Sequence, residues 1–270
     1  MLGRTTFFFT ERGLRTARLD AEILLAHALG IERITLYTDS ERPLLPAELD
    51  LARGLVARRA AREPIAYITG TRSFRHLTLR VSPDVLVPRP ETEHLVEWGI
   101  ELAPEGASIL DWGTGSGAVA LAIASERPDV SVTAIDRSHA ALAIARGNDD
   151  LGRVDFIESD SFQALAGRRF DLILANPPYL SDSELADTPE TELSFEPAGA
   201  LVAGPTGFEA INEIIATAPH HLSTDGSLVL EVGDGQAGAA RERMLAAGYR
   251  DVAGRPDLAG ALRNVAGRAP

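Results

Sequence analysis

From Glu91 onward, stretches with helical spacing alternate regularly with short apolar runs, and this alternation limits the possible folds more than any other feature of the chain. The runs lie near 108 to 111, 130 to 135, 154 to 157, 170 to 175 and 227 to 232, with two more strand-like pieces near 250 and 263. Strands that are apolar throughout need cover on both faces, and the strand–helix–strand order supplies it as a parallel sheet with helices on either side. In such open sheets ligands bind beyond the carboxyl ends of the strands. The residues that follow each run are therefore where the chemistry is to be sought.

Two run ends stand out. The run Phe170 to Ala175 is cut off by Asn176-Pro177-Pro178-Tyr179. The prolines can neither donate to a ladder nor continue one, so Asn176 sits at a strand end. There an amide side chain and the Pro177 carbonyl are offered to whatever occupies the crevice, a pair suited to a planar NH2 group. Asn-Pro is equally an ordinary turn initiator when taken alone. The second run end is Ser108-Ile109-Leu110-Asp111, which leads into Trp112-Gly113-Thr114-Gly115-Ser116-Gly117 and then into an apolar helix from Ala118. Glycines at alternate positions let the backbone turn tightly and let a ligand lie against it. The spacing is that of neither a dinucleotide fingerprint nor a phosphate loop.

The next strand ends in Asp136, 19 residues beyond Gly117, where a carboxylate accepts ribose hydroxyls. Asp136 is also a plausible helix cap ahead of Arg137-Ser138-His139. Combined with the glycine turn and the Asn-Pro crevice, the ribose reading is the better one. A nucleoside pocket joined to an amide-holding crevice describes an N-methyltransferase that uses S-adenosyl-L-methionine.

The 270 residues suffice for a small domain plus a catalytic one. We expect a helical unit over residues 1–66, where Leu14, Ala17, Ala21, Leu24, Leu25 and Ala28 and then Leu49, Ala52, Leu55, Val56 and Ala60 recur at helical spacing. A connector over 67–90 follows, with a hairpin pairing Leu77–Val81 to Val85–Val87 across Ser82-Pro83-Asp84. The catalytic domain is expected over 91–270, with Asp182 to Pro205 as its longest irregular stretch and a substrate lip. The chain has no cysteine, which excludes disulfides, thiolate ligands and a cysteine nucleophile. The six histidines show no metal-ligand spacing, so no metal is expected. A net charge of −13 argues against a duplex nucleic-acid footprint, although Arg53, Arg58, Arg59 and Arg62 form a local basic cluster. The apolar start, Phe7-Phe8-Phe9 included, is ended by Glu11 and Arg12 short of a signal-peptide core, and no run approaches a membrane span. A cytoplasmic monomer is expected.

The chain resembles the release-factor glutamine methyltransferases (the HemK/PrmC family) over nearly its whole length. The resemblance is carried by Ala17 to His27, Arg62 to Gly70, Val87-Pro88-Arg89-Pro90-Glu91-Thr92-Glu93, Asp111 to Gly117, the Asn176 to Tyr179 tetrapeptide, Glu196-Pro197, and Asp257-Leu258-Ala259-Gly260 with Arg263. It implies an α/β fold, a seven-stranded class I methyltransferase (Rossmann-like) domain behind a helical domain that engages the protein substrate. The implied substrate is the glutamine of the Gly-Gly-Gln motif of peptide chain release factors, without direct contact to nucleic acid. Gly113, Thr114, Gly115, Ser116, Gly117 and Asp136 match the cofactor positions, joined by Asn176. Ser161 stands where some relatives carry a Trp beside the adenine, and Phe162 is expected to substitute as the ring that covers the base. Asn176, Pro177, Pro178 and Tyr179 match the glutamine site. In this reading the Asn176 oxygen and the Pro177 carbonyl accept the two amide N–H bonds, and Tyr179 packs over the side chain. Three other functions share these features: glutamine methylation of a ribosomal protein, methylation of an exocyclic amine in nucleic acid, and non-catalytic cofactor binding. Arg89, Glu91, Glu93, Glu231 and Gln236 remain open between structural and pocket-closing roles.

Overall fold

The computed structural model describes every residue except 188–191 and 258–259, and it divides into two units, Met1–Thr71 with Glu190–Phe195 and Arg72–Pro189 with Glu196–Pro270. In the first, the helices Leu2–Glu11, Ala17–Leu29, Pro46–Ala60 and Ile65–Thr69 close on a core that includes Phe9, Leu14, Ala21, Leu24, Leu25, Ala52 and Leu55. The helix Ala17–Leu29 stops at Gly30 in the left-handed conformation, φ 63°. Pro46 opens the next helix, where its missing N–H is not needed. The phenylalanine triplet belongs to the first helix, with Phe9 wholly buried and Phe7 exposed. The basic cluster is paired within this unit. Arg58 binds Glu63, Arg59 is buried on Asp20 at 2.7 Å and on Glu192, Arg62 donates to the carbonyl of Arg12, and Arg53 reaches Asp50.

The second unit opens with a hairpin, but not the expected one. Strands β1 (Thr71–Phe74) and β2 (Leu77–Arg80) pair with each other across Arg75 and His76. Val85–Val87 is not a strand. Its Val87 N–H donates instead to Glu196 Oε2 at 3.1 Å, and Pro88 has no N–H to give a ladder. Ser82 to Val85 is a turn that buries Val85 and Val87.

The central sheet has seven strands in the order β10-β11-β9-β6-β3-β4-β5. They are β3 (Ser108–Trp112), β4 (Ser131–Asp136), β5 (Val154–Glu158), β6 (Phe170–Ala175), β9 (Leu222–Glu231), β10 (Arg250–Pro256) and β11 (Leu262–Arg268); β7 (Leu180–Ser181) and β8 (Val202–Gly204) form a separate pair. The sheet is parallel from β5 to β9, and β11 runs antiparallel to both β9 and β10. Alternate residues serve opposite faces. Ile109, Leu172, Leu174 and Val229 pack under the helices Thr92–Leu102 and Ala118–Glu126, while Leu110, Ile173, Leu228 and Leu230 pack under Glu209–Thr217 and Ala237–Ala246. This is a helix–sheet–helix sandwich. The chain enters at β3, winds outward through β4 and β5, then returns to β6 on the other side of β3. Strand order therefore reverses between β3 and β6, and the crevice for a ligand opens at that reversal.

Asp182 to Pro205 is less irregular than its composition suggests. Ser181 and Glu184 form a reciprocal cap on the helix Asp182–Ala186. Glu192–Phe195, Ala198–Leu201 and β8 follow; residues 188–191 lie outside the described residues, as do Leu258 and Ala259 of the late motif. No helix among the described residues is long and apolar enough to cross a membrane.

Candidate active site

Beyond the carboxyl ends of β3, β4, β5 and β6 lies a cavity of about 390 Å³, lined by all but four of the residues matched to the cofactor and glutamine sites. Gly113, Thr114, Gly115 and Ser116 line it from β3, Asp136 from β4, Ser161 from β5, and Asn176 and Pro178 from β6. Gly117, Phe162, Pro177 and Tyr179 are outside the lining.

The glycine turn is held by its neighbours. The N–H groups of Gly113 and Thr114 both donate to the Ile135 carbonyl, at 3.0 and 2.9 Å. Gly115 has φ 55°, and its N–H donates to Asp136 Oδ2 at 2.9 Å. Gly117, at φ 85°, is needed for space as well, because a Cβ there would lie 2.9 Å from Leu121 Cδ1. Asp136 Oδ1 accepts the Ser138 N–H at 2.9 Å, and it is Ser138, not Asp136, whose side chain caps the helix His139–Asn148. Each Asp136 oxygen thus accepts one backbone N–H and keeps a lone-pair direction for a ligand.

Ser161 and Phe162 part company. Ser161 adopts φ 52°, and its buried Oγ has no partner among the described residues. Phe162 turns away into the core, 4% exposed, and stacks on His221 with ring centroids 4.9 Å apart. Its ring is therefore not the cover for a base that the sequence suggested.

At the other end of the cavity, the Asn176 Nδ2 donates to Thr92 Oγ1 at 3.1 Å. The Tyr179 carbonyl accepts from Gln236 Nε2 at 3.0 Å, while Gln236 Oε1 takes the Gly233 N–H at 2.9 Å. Gln236 is thus a clamp on the tetrapeptide. Burial raises the Tyr179 hydroxyl's pKa. Arg89 lines the cavity and forms an ion pair at 2.5 Å with Glu196, whose side chain is wholly buried. Glu93 accepts the Arg75 N–H and stays off the cavity. The sequence reading passed over Thr92, Asp160, Pro197, Glu209 and Glu213 in the lining. Thr92 and Pro197 carried a signal, their places inside Arg89-Pro90-Glu91-Thr92-Glu93 and Glu196-Pro197.

Two buried carboxyls flank the site. Burial pushes Asp111 up to about 6 against hydrogen bonds to its Oδ2 from Thr114 Oγ1, at 2.6 Å, and from the Ala120 N–H, at 3.1 Å. Burial likewise pushes Glu231, at the end of β9, up to about 7, while the nearby Thr92 side chain works the other way. A carboxyl whose pKa is raised by folding contributes stability that is complete below its unfolded value and is lost as pH rises through the folded one. Stability of this unit should therefore fall between about pH 4 and 7, on the order of 3 kcal/mol for each group. Both tryptophans, Trp98 and Trp112, lie in this unit, so urea titrations followed by their fluorescence at pH 5 and pH 8 read it directly. Because both donors to Asp111 converge on one oxygen, Asp111→Asn keeps them and should flatten part of the pH dependence. An equally steep profile in that variant would refute the assignment.

Among the described residues no cluster of His, Asp and Glu could hold a metal ion. The lining does suit a polar organic ligand. Besides Ser161 Oγ, the indole Nε1 of Trp112 is buried without a partner among the described residues, and Trp112 faces the same cavity.

Residues 1–70 match the PrmC N-terminal domain family and residues 93–204 the methyltransferase small domain family. The release factor glutamine methyltransferase of Burkholderia pseudomallei is 48% identical over 265 residues, covering 93% of this chain and 92% of its own. That of Geobacter sulfurreducens is 40% identical over 270 residues, covering 99% and 95%. The chain belongs to the release factor glutamine methyltransferase family. Solved structures share the family's fold at low identity. A methyltransferase from Pyrococcus furiosus superposes with a TM-score of 0.55 at 19% identity, covering 79% of this chain and 96% of its own. A 16S rRNA methyltransferase of T. thermophilus, in complex with AdoMet and guanosine, gives 0.51 at 18%, covering 74% and 50%.

Proposed function

We propose that this protein transfers a methyl group from S-adenosyl-L-methionine to the side-chain amide nitrogen of the glutamine in the Gly-Gly-Gln motif of peptide chain release factors, as a cytoplasmic monomer with no direct role for nucleic acid. Family membership supports the activity. The observation that carries the chemistry is Asn176, whose NH2 is already committed to Thr92, so that its oxygen is the free acceptor at the cavity edge.

When bound, S-adenosyl-L-methionine supplies an electrophilic methyl group on a positively charged sulfur. In our reading the residues that hold it are Gly113 to Gly117, Asp136 and Ser161. The Asp136 carboxylate accepts ribose hydroxyls with its remaining lone pairs. Ser161 Oγ and Trp112 Nε1 offer unpaired polar atoms to the rest of the molecule.

An amide nitrogen is a weak nucleophile because its lone pair is delocalised into the carbonyl. Orientation is therefore the main device, and fixing two reactants in line can remove roughly 7 to 11 kcal/mol of barrier in favourable cases. Asn176 Oδ1 and the Pro177 carbonyl accept the two N–H bonds of the glutamine, which draws electron density onto its nitrogen and fixes its plane. Tyr179, held through its carbonyl by Gln236, packs over the side chain and excludes water. As the N–C bond forms, the S–CH3 bond would break with its electron pair going to the departing sulfur; one hydrogen stays on the N-methyl amide and the other, made acidic by the transfer, is lost to solvent as the products leave, so no histidine base is required.

Incubating release factor, a ribosomal-protein extract and nucleic acid separately with the protein and labelled cofactor tests this reading by mass spectrometry. One added methyl on the Gly-Gly-Gln peptide is expected. Label in ribosomal protein or nucleic acid, with release factor blank, would overturn it.

A further inference from the structure

Two segments far apart in sequence wall the cavity where the sheet does not. One precedes the helix Thr92–Leu102 and contributes Leu86, Pro88 and Arg89 to the lining; the other follows Glu196 and contributes Pro197, Gly199 and Ala200. Residues 86–89 belong to no helix or strand, and Pro88 and Pro90 have no N–H to give a neighbour. Their anchors are side chains. Arg72 Nε, on β1, donates to the Pro88 carbonyl at 3.1 Å. From the second segment, Glu196 Oε2 accepts the Val87 N–H at 3.1 Å, and Glu196 Oε1 accepts from Arg89 Nη2 at 2.5 Å. Beyond Glu196 the chain passes under Arg137, whose Nη2 stands 2.5 Å from where a Cβ on Gly199 would be. The second segment thus runs from residues 86–89 to the end of β4, beside Asp136.

We propose that Glu196 is a positioning residue for the cofactor: its two oxygens latch residues 86–89 to the segment that follows it, and this latch holds the outer wall of the cavity at the spacing that S-adenosyl-L-methionine requires. The inference rests on the function proposed above and extends it to a side chain that lines no part of the cavity.

Two features favour a latch over a packing role. The Glu196 side chain is wholly buried, yet a buried ion pair adds little net stability, and apolar side chains of similar volume often serve as well. What a carboxylate adds is geometry, since its two oxygens bind a guanidinium and a backbone N–H at once. The second feature is placement. Val87 sits between Leu86 and Pro88, both in the lining, and Arg89 is in it too. Releasing Glu196 frees this stretch at two points, whereas Asn176 and Tyr179 keep their own bonds to Thr92 and Gln236. Loss of the latch should therefore be felt in cofactor binding more than in the chemical step.

Calorimetry with S-adenosyl-L-methionine, in the absence of release factor, tests the latch. Glu196→Ala should raise the Kd roughly 10- to 100-fold, the equivalent of one lost charge-assisted hydrogen bond. Glu196→Gln keeps an acceptor for Val87 but no charge for Arg89, so its Kd should lie between. At saturating cofactor, kcat on release factor should stay close to that of the natural protein in both. The double variant Glu196→Gln with Arg89→Gln should bind no worse than Arg89→Gln alone, because both changes open the same latch. Hydrogen exchange reads the contact directly: the Val87 amide should be protected in the natural protein and in Glu196→Gln, and exposed in Glu196→Ala. A purely structural role would lower the urea midpoint and leave the Kd of the folded protein unchanged. That result, with tryptophan fluorescence confirming the fold, would overturn the inference, as would a Val87 amide unprotected in the natural protein. Should Glu196→Ala fail to fold, the Kd of Glu196→Gln decides in the same way. A natural protein that binds the cofactor but methylates no release factor would overturn the proposed function and leave the latch standing.

Discussion

Asn176→Ala is expected to lower kcat on release factor by roughly 10²- to 10³-fold, the loss typical of removing one pre-organised hydrogen-bonding group from an active site. Two consequences combine. The glutamine loses the acceptor that fixes its NH2 plane, and Thr92 loses the donor that occupies its oxygen. Cofactor affinity should change little, because the glycine turn and Asp136 are anchored independently on Ile135, Gly115 and Ser138. Asn176→Asp separates chemistry from packing, since it preserves shape. It cannot donate to Thr92, and it places a charge where the amide was neutral, so its kcat should fall nearly as far. Steady-state kinetics on intact release factor, with cofactor binding measured by calorimetry, check both variants. An alanine variant that turns over normally would mean that the amide is held by other groups.

The fold was legible in the sequence wherever a local signal and a tertiary requirement coincided. Phe170 to Ala175 is apolar on both faces and stopped by prolines, and it is a central strand buried on both faces. The late strands near 250 and 263 were placed correctly, but nothing local could say that β11 would insert between β9 and β10 in the opposite direction. The hairpin failed because Val85–Val87 has the composition of a strand, while its fate was settled by Glu196, 109 residues away, which takes the Val87 N–H. Phe162 misled for a related reason. Adjacency to Ser161 suggested a shared role, yet the left-handed turn at Ser161 sends the next ring into the core against His221. Thr92 and Glu231 were hidden in another way. Thr92 looked like ordinary helix-start chemistry until it met Asn176, 84 residues on, and Glu231 like a strand end until burial raised its pKa.

Asp136→Ala should raise the Kd for S-adenosyl-L-methionine by about 100-fold. Hydrogen bonds to a charged group contribute roughly 1.5 to 3 kcal/mol each, and about 1.4 kcal/mol corresponds to a tenfold change in affinity, so two ribose hydroxyls left without their acceptor account for the loss. The turn is affected as well, because the Gly115 N–H is released from Oδ2. Asp136→Asn distinguishes the two contributions. Its single oxygen can satisfy either Gly115 or Ser138, but its NH2 must then face the other N–H, donor against donor. It should therefore bind cofactor no better than the alanine variant while filling the same volume. At saturating cofactor both variants should regain much of their kcat, since Asn176 and its partners lie at another strand end. Calorimetry with the cofactor, accompanied by tryptophan fluorescence to confirm that the unit is folded, reads the effect. A folded Asp136→Ala protein with unchanged Kd would mean that the ribose is held by other groups, and that this carboxylate serves only to tie Gly115 to Ser138.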